Sequence, residues 1–406
     1  MLIHNAAWDI KDMTLFDFTP RSDQRPARDN EPLFDYYNIS GRSSVAEIRA
    51  ILEAWFQRVP ESAKTELRAR FRSHTDSQHR SAFFEIYLHE LLCRMGFAAT
   101  LHPNVPGNLG THPDFVVSQG DMPCCYLEAT LALPSVHETA ENARIAQVYD
   151  TLNRMVSLSF FLAIRLRGAP ATPPPGARLR RDLMQWLSGL DPDVLRQIFE
   201  TVGLDGLPSY EWSHDGWDLS FLPIAKPPSL RGQQGIRPIG MKMSEMRIVN
   251  SRTAIKTAVC NKATKYGDLA LPFVVAVNVI DRFRFARDVD IMNALFGEEN
   301  ITDTQYSDGT IDRRPGRNRN GAWFGPQGAQ NTRVSAALVS LNMDVWNMVE
   351  QFPKMIHNPW AARPLPHDLW PLLQLIPILT ENRLEPKARL TASEVLGLPT
   401  PWPPID

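Results

Sequence analysis

Hydrophobic positions along the chain alternate between two periods, and the changes of period mark out the expected elements. Val45, Ile48, Ile51, Leu52, Trp55 and Phe56 recur at the spacing of one helical face, and residues 61–71 read as a second helix. Residues 83–95 predict a third, with Phe84, Tyr87, Leu88, Leu91 and Leu92 along its apolar side and Gly96 as its stop. The period then shortens to that of strands over 98–102, 112–117 and 124–131, with a Gly120-Asp121 turn between the last two. A helix over 138–156 and a buried strand over 160–164 follow, and Pro173, Pro174 and Pro175 mark a boundary or exposed linker. Beyond the prolines the pattern predicts helices at 178–187 and 192–202, strands at 217–221 and 236–243, and a helix at 252–266 stopped by Gly267. The continuous run Phe273-Val274-Val275-Ala276-Val277 predicts a strand covered on both faces. A short helix at 290–296 and strands at 334–341 and 355–357 complete the expected elements, because the C-terminus reads as too rich in proline to build much more. The first 40 residues lack a period and read as an irregular arm.

Two carboxylates interrupt this pattern informatively. In His112-Pro113-Asp114-Phe115-Val116-Val117 and Cys124-Cys125-Tyr126-Leu127-Glu128-Ala129-Thr130-Leu131, Asp114 and Glu128 fall on strands joined by one turn. Alternation puts Glu128 and Thr130 on one face, with Cys125, Leu127, Ala129 and Leu131 on the other. A carboxylate in mid-strand is expensive to bury without a cation or a proton. Two on adjacent strands suit a hard divalent cation, which takes oxygen ligands. The alternative for Asp114 is that it merely starts its strand or bonds its own backbone in a turn after Pro113.

The order of elements and these motifs resemble the PD-(D/E)xK nuclease superfamily, over residues 80–166. The resemblance implies a restriction-endonuclease-like α/β fold, a mixed sheet with flanking helices built on a helix, three strands, a helix and a strand, here followed by a C-terminal α/β extension. It further implies that Glu85, Asp114 and Glu128 are acidic site residues, that Asp114 and Glu128 hold Mg²⁺ or Mn²⁺, and that the Ala129 carbonyl is a possible further ligand. The chain departs from the family where its lysine is expected, because Thr130 stands there. A neutral hydroxyl cannot offset charge in a transition state as an ammonium does. Lys262, on the apolar stripe Ile255, Ala258, Val259, Ala263 and Tyr266 of the later helix, either snorkels to solvent or reaches the carboxylates in place of the missing lysine. Lys256 and Lys265 fall off that stripe and are weaker candidates.

Composition adds limits. With 406 residues, 43% hydrophobic and 22% charged, the chain has the make-up of a soluble globular protein. No apolar run suits a membrane span and the N-terminus lacks the form of a signal peptide, so a cytoplasmic protein is expected. Cys93, Cys124, Cys125 and Cys260 lack the spacing of a zinc site and read as core residues. A net charge of −2 gives no global attraction to nucleic acid, so DNA binding needs a local patch. Arg313, Arg314, Arg317 and Arg319 supply one, in what reads as a Pro- and Gly-containing loop, balanced by Asp308 and Asp312.

The expected organisation is an N-terminal arm with helices over 1–75, the nuclease-like core over 76–170, and an α/β extension over 171–406 that could continue the same sheet. The expected function is a Mg²⁺-dependent endonuclease acting on DNA, in bacterial defence or repair, with Glu85, Asp114, Glu128 and Lys262 at its centre. The alternative is a catalytically degenerate nuclease-fold protein that binds nucleic acid or a protein partner. A homodimer is compatible with either.

Overall fold

The computed structural model describes residues 13–105, 111–134, 136–233, 236–243, 251–281, 286–305, 308–378, 383–387 and 390–404, without the side chains of residues 136, 137, 302, 304, 312, 314 and 383. It is a mixed α/β protein of two compact units, one formed by Met1–Gln24, Pro32–Pro134 and Val249–Asp406, the other by Arg25–Glu31 and Ser135–Ile248. The boundaries therefore differ from the expected division at 75 and 170. The second unit is a long insertion into the first.

The larger unit begins with α1 (Leu33–Ile39), α2 (Ser43–Gln57), α3 (Glu61–Phe71) and α4 (Asp76–Arg94), then β1 (Ala98–Leu101), β2 (Phe115–Gln119) and β3 (Met122–Ala132). Every side chain of α4 from Ala82 to Leu92 is buried, so this helix is a central one rather than an amphipathic cover. It packs on α1, α2 and α3 and on β1 and β3. β2 and β3 pair antiparallel through Gly120 and Asp121, where a two-residue hairpin needs the positive φ that Gly120 adopts at 58°.

The inserted unit comprises α5 (Val136–Asn153), β4 (Phe160–Arg167), α6 (Gly176–Ser188), α7 (Pro192–Val202), β5 (Tyr210–His214), β6 (Trp217–Ala225) and β7 (Ile239–Met243). Its four strands form their own sheet, in the order β5-β6-β4-β7. One face of that sheet shares a core with α5, α6 and α7 around Leu162, Leu179, Leu183, Trp217 and Phe221. Here the structure corrects an expectation. The helix after β3 and the strand over 160–164 do form, but they build this second sheet and not the continuation of the first.

The chain returns to the first unit with α8 (Ser251–Ala263), β8 (Phe273–Val279), α9 (Asp288–Phe296), β9 (Glu299–Gln305), β10 (Ile311–Arg317), β11 (Phe324–Gly325), β12 (Gly328–Ala329), β13 (Val334–Leu341), β14 (Lys354–His357), β15 (Gln374–Ile378), β16 (Arg383–Lys387) and α10 (Ala392–Leu396). The main sheet has eight strands in the order β1-β2-β3-β8-β13-β14-β15-β16. β8 runs parallel to both β3 and β13, and all seven of its residues are buried, as its β-branched run predicts. A parallel pair needs a crossover, and α8, packed on β3 and β8, supplies it. The proline-rich C-terminus builds more than expected: β15, β16 and α10 all lie there, and Pro377 and Pro386 are tolerated in the two strands at that end of the sheet.

Leu338 on β13, two strands from β3, is fully buried. Leu338→Ala should cost roughly 2–5 kcal/mol. The check is urea unfolding, which should give a lower midpoint with an unchanged slope; an unchanged midpoint would contradict the central position of β13.

Candidate active site

Asp114 directly precedes β2, and the register Phe115 to Leu127 brings it level with Glu128 on β3. The two residues bond reciprocally through backbone and side chain. The Asp114 N–H donates to Glu128 Oε2 at 3.2 Å, and Asp114 Oδ2 accepts from the Ala129 N–H at 2.7 Å. Asp114 thus extends the β2–β3 ladder past the start of its own strand. Among the described residues, its second oxygen accepts no hydrogen bond.

Glu128 is fully buried, with Tyr126 and Ala132 of the same face packed in the core that contains the apolar side of α8. The end of α8 answers its charge. Lys262 donates to Oε1 at 2.6 Å and Lys265 donates to the same atom at 3.0 Å. The Tyr266 hydroxyl is 2.5 Å from Oε2 and 2.9 Å from the His112 carbonyl oxygen. Lys262 therefore does not snorkel to bulk solvent. Lys265 joins it, against the expectation from the helical stripe, because α8 ends at Ala263 and the following turn carries Lys265 around to the carboxylate. Thr130, half-buried, stands further along β3 opposite Val277.

Glu85 is also buried, at 6% exposure. It lies within the stretch of α4 from Ala82 to Leu92 that is buried on all sides. Its carboxylate forms a two-point ion pair with Arg70 of α3, at 2.6 and 2.7 Å. No local signal in the sequence identifies Arg70 as its partner. His89, one turn further along α4, contacts Cys93 at about 4 Å and makes no bond to the carboxylates. Lys256 donates to the Asn320 carbonyl oxygen instead.

The paired carboxyl groups are driven apart electrostatically. Burial, then the charges of Glu128 and Glu85, push the Asp114 carboxyl up to about 7. Burial would raise Glu128 as well, but the hydrogen bond and charge of Lys262, with the bonds from Tyr266 and Lys265, hold it below the usual carboxylate range. Burial and the bond to Glu128 raise the Tyr266 phenol, which stays a donor. Two carboxyl groups this close cannot both ionise freely, and the one with the cations keeps the charge.

As a cation site the arrangement fits in part. Asp114 offers an open oxygen, whereas both oxygens of Glu128 are engaged by donors. Among the described residues, no three His, Cys, Asp or Glu side chains assemble as a metal-binding group. An ion here would rest on Asp114 and Glu128 and complete its shell from water and substrate, as Mg²⁺ commonly does. Lys265, the more exposed of the two lysines at 41% of its side chain, is the donor most easily displaced.

The expected arginine loop is a strand: β10 pairs with β9 in a two-stranded ribbon that includes Pro315 and Gly316. Arg313 is paired with Asp303 at 2.9 Å. Arg317 is largely buried and bonds the Gly297 carbonyl oxygen and Glu299, both at 2.8 Å, so it serves the ribbon's own structure. Arg319 lies over the Phe324 ring at 5.5 Å. The side chains of Arg314 and Asp312 are outside the described residues. Among the described residues, no helix is long and apolar enough to cross a membrane.

No protein-family model matches the chain, and no curated protein or solved structure matches it either.

A carboxyl raised in the folded state binds its proton more tightly folded than unfolded. Asp114 thus favours folding fully below its unfolded value of 3.8, and that contribution is lost as pH rises toward 7. Glu128 has the opposite sign, stabilising above its ordinary 4.5 and losing this as the pH falls through its depressed value. Asp114→Asn keeps an acceptor for Ala129 but does not titrate. Its stability relative to wild type should rise across the window from pH 4 to pH 7, measured by urea unfolding at successive pH values; parallel curves would contradict the assignment.

Proposed function

We propose that α4, β1, β2, β3, α8 and β8 form a restriction-endonuclease-like core, interrupted after β3 by the inserted unit, and that it acts as a Mg²⁺- or Mn²⁺-dependent endonuclease on DNA. The observation that carries this reading is Lys262, at 2.6 Å from Glu128. It brings an ammonium from α8 to the carboxylate pair where Thr130 cannot supply one. The order of elements supports it too: a helix, three antiparallel strands, then a crossover helix into a parallel fourth.

In this reading Asp114 and Glu128 hold the divalent ion, which when bound supplies Lewis acidity toward a phosphodiester. Lys262 orients Glu128 and offsets negative charge that develops on the phosphate during attack. Asp114, with its carboxyl raised to about 7, exchanges a proton near neutrality and is fully ionised once a cation is present. Arg70 keeps Glu85 paired, so that Glu85 acts through electrostatics on Asp114 and not as a ligand. Arg313 on the ribbon, paired with Asp303, and Arg319 just beyond it are the exposed arginines of this segment among the described side chains that phosphates would meet.

A second reading is favoured by one specific observation, the occupation of both Glu128 oxygens by Lys262, Lys265, Tyr266 and the Asp114 N–H. A Glu128 so fully engaged suits a nuclease fold that retains binding to nucleic acid or a protein but has lost catalysis.

Incubation of the protein with supercoiled plasmid and Mg²⁺ or Mn²⁺ separates the two. The endonuclease reading expects nicking by the wild type, none by Asp114→Ala, and a rate for Lys262→Met lower by on the order of 10²-fold. Retention of plasmid in a mobility shift, with no cleavage under either metal, would overturn it in favour of the degenerate reading.

A further inference from the structure

The inserted unit carries an open cleft of about 270 Å³ lined by four arginines, the half-buried Arg25 and Arg237 and the exposed Arg28 and Arg154, against one carboxylate, Asp150. That carboxylate is already engaged, accepting from the Asp29 N–H at 2.6 Å and the Asn30 N–H at 2.9 Å. Arg25 is balanced by Glu31, at 2.6 Å, and Arg28 lies in the field of the same carboxylate. Arg154 and Arg237 are different: among the described residues neither guanidinium has a hydrogen-bond or ion-pair partner. A third positive charge stands just behind the wall. Lys226 is fully buried and donates from Nζ to the carbonyl oxygen of the wall residue Ser157 at 2.7 Å, and among the described residues it meets no carboxylate.

Like charges gathered on a concave wall repel one another, and the field they focus attracts an anion. The planar fork of arginine matches the paired oxygens of phosphate better than it matches a spherical ion. Pro26, Met155, Val156 and Ile236 give the wall an apolar part, beside the polar Asn153, Ser157 and Gln233, and Val156 remains 57% exposed. A cavity of this size is at the lower end for a small-molecule site and suits one nucleotide unit.

We propose that this cavity binds the terminal phosphate of a nucleotide, with Arg154 and Arg237 clamping the phosphate and the apolar wall covering the sugar or base. The source is either a free mononucleotide or the phosphorylated end of a nucleic-acid strand. The site is independent of the Asp114–Glu128 pair and stands whether or not that pair cleaves DNA.

The test is calorimetric titration of the full chain, in chelator, with thymidine monophosphate, with a terminally phosphorylated oligonucleotide, and with the same oligonucleotide lacking its terminal phosphate. Either phosphorylated probe should bind, and the double variant Arg154→Ala, Arg237→Ala should weaken that binding at least about tenfold, the loss of a charge-assisted pair. Loss confined to the mononucleotide identifies a free nucleotide, and loss confined to the oligonucleotide identifies a strand end. Since neither guanidinium has an internal partner, the double variant should unfold at the wild-type midpoint. If it does not, the single variant Arg154→Ala carries the same comparison. Equal affinity of wild type and variant for every probe would overturn the proposal, as would an oligonucleotide affinity unchanged by removing its terminal phosphate together with no binding of thymidine monophosphate.

Discussion

A fully buried carboxylate in the middle of a strand is the constraint on which the arrangement around it depends. An isolated ionised group in such a place is so costly that it would take up a proton instead. Glu128 keeps its charge because Lys262, Lys265 and Tyr266 converge on it from the end of α8. The interaction therefore fixes the packing of α8 on β3. Since α8 is also the crossover into β8, the same bonds help to set the register at which β8 joins the antiparallel strands β1 to β3. Removing one partner of such a group is more damaging than the net worth of the pair suggests, because the other charge stays buried.

The neighbouring charges follow from this. With Glu128 held ionised, Asp114 feels its field in a buried position and is pushed toward the protonated form. Glu85 adds to that field but is itself neutralised by Arg70. Four carboxyl groups, of Asp114, Glu128, Glu85 and Glu66, thus stand against Lys262, Lys265 and Arg70, and a proton on Asp114 brings the two sides level, a balance without surplus positive charge. An incoming phosphodiester would tip it negative, and a divalent ion arriving with it would restore it. For the proposed endonuclease, that is a physical reason for cation and substrate to bind together, with Lys265 the more exposed of the two lysines.

Much of this was legible in the sequence, and the failures have physical causes. The β-branched run of β8, the Asp114–Glu128 hairpin and the position of Lys262 on its stripe follow from local periodicity, which senses which face of an element is covered. Lys265 escaped because a helical stripe has meaning only while the helix lasts, and α8 ends before it. Arg70 escaped because partners distant in sequence leave no periodic trace. The insertion was invisible for the related reason that β4 reads as a buried strand whichever sheet it joins. In β10, Pro315 and Gly316 argued for a loop, yet a two-stranded ribbon has open edges where a missing N–H costs little.

The central claim is that Asp114 and Glu128 together receive a divalent cation in competition with Lys265 and Tyr266. The most direct measurement is Mn²⁺ titration of the full chain followed by electron paramagnetic resonance, comparing wild type, Glu128→Gln and Lys265→Ala. The account predicts a bound ion in the wild type, its loss in Glu128→Gln, and tighter binding in Lys265→Ala because a competing donor is gone. Binding in Glu128→Gln equal to that of the wild type would contradict it.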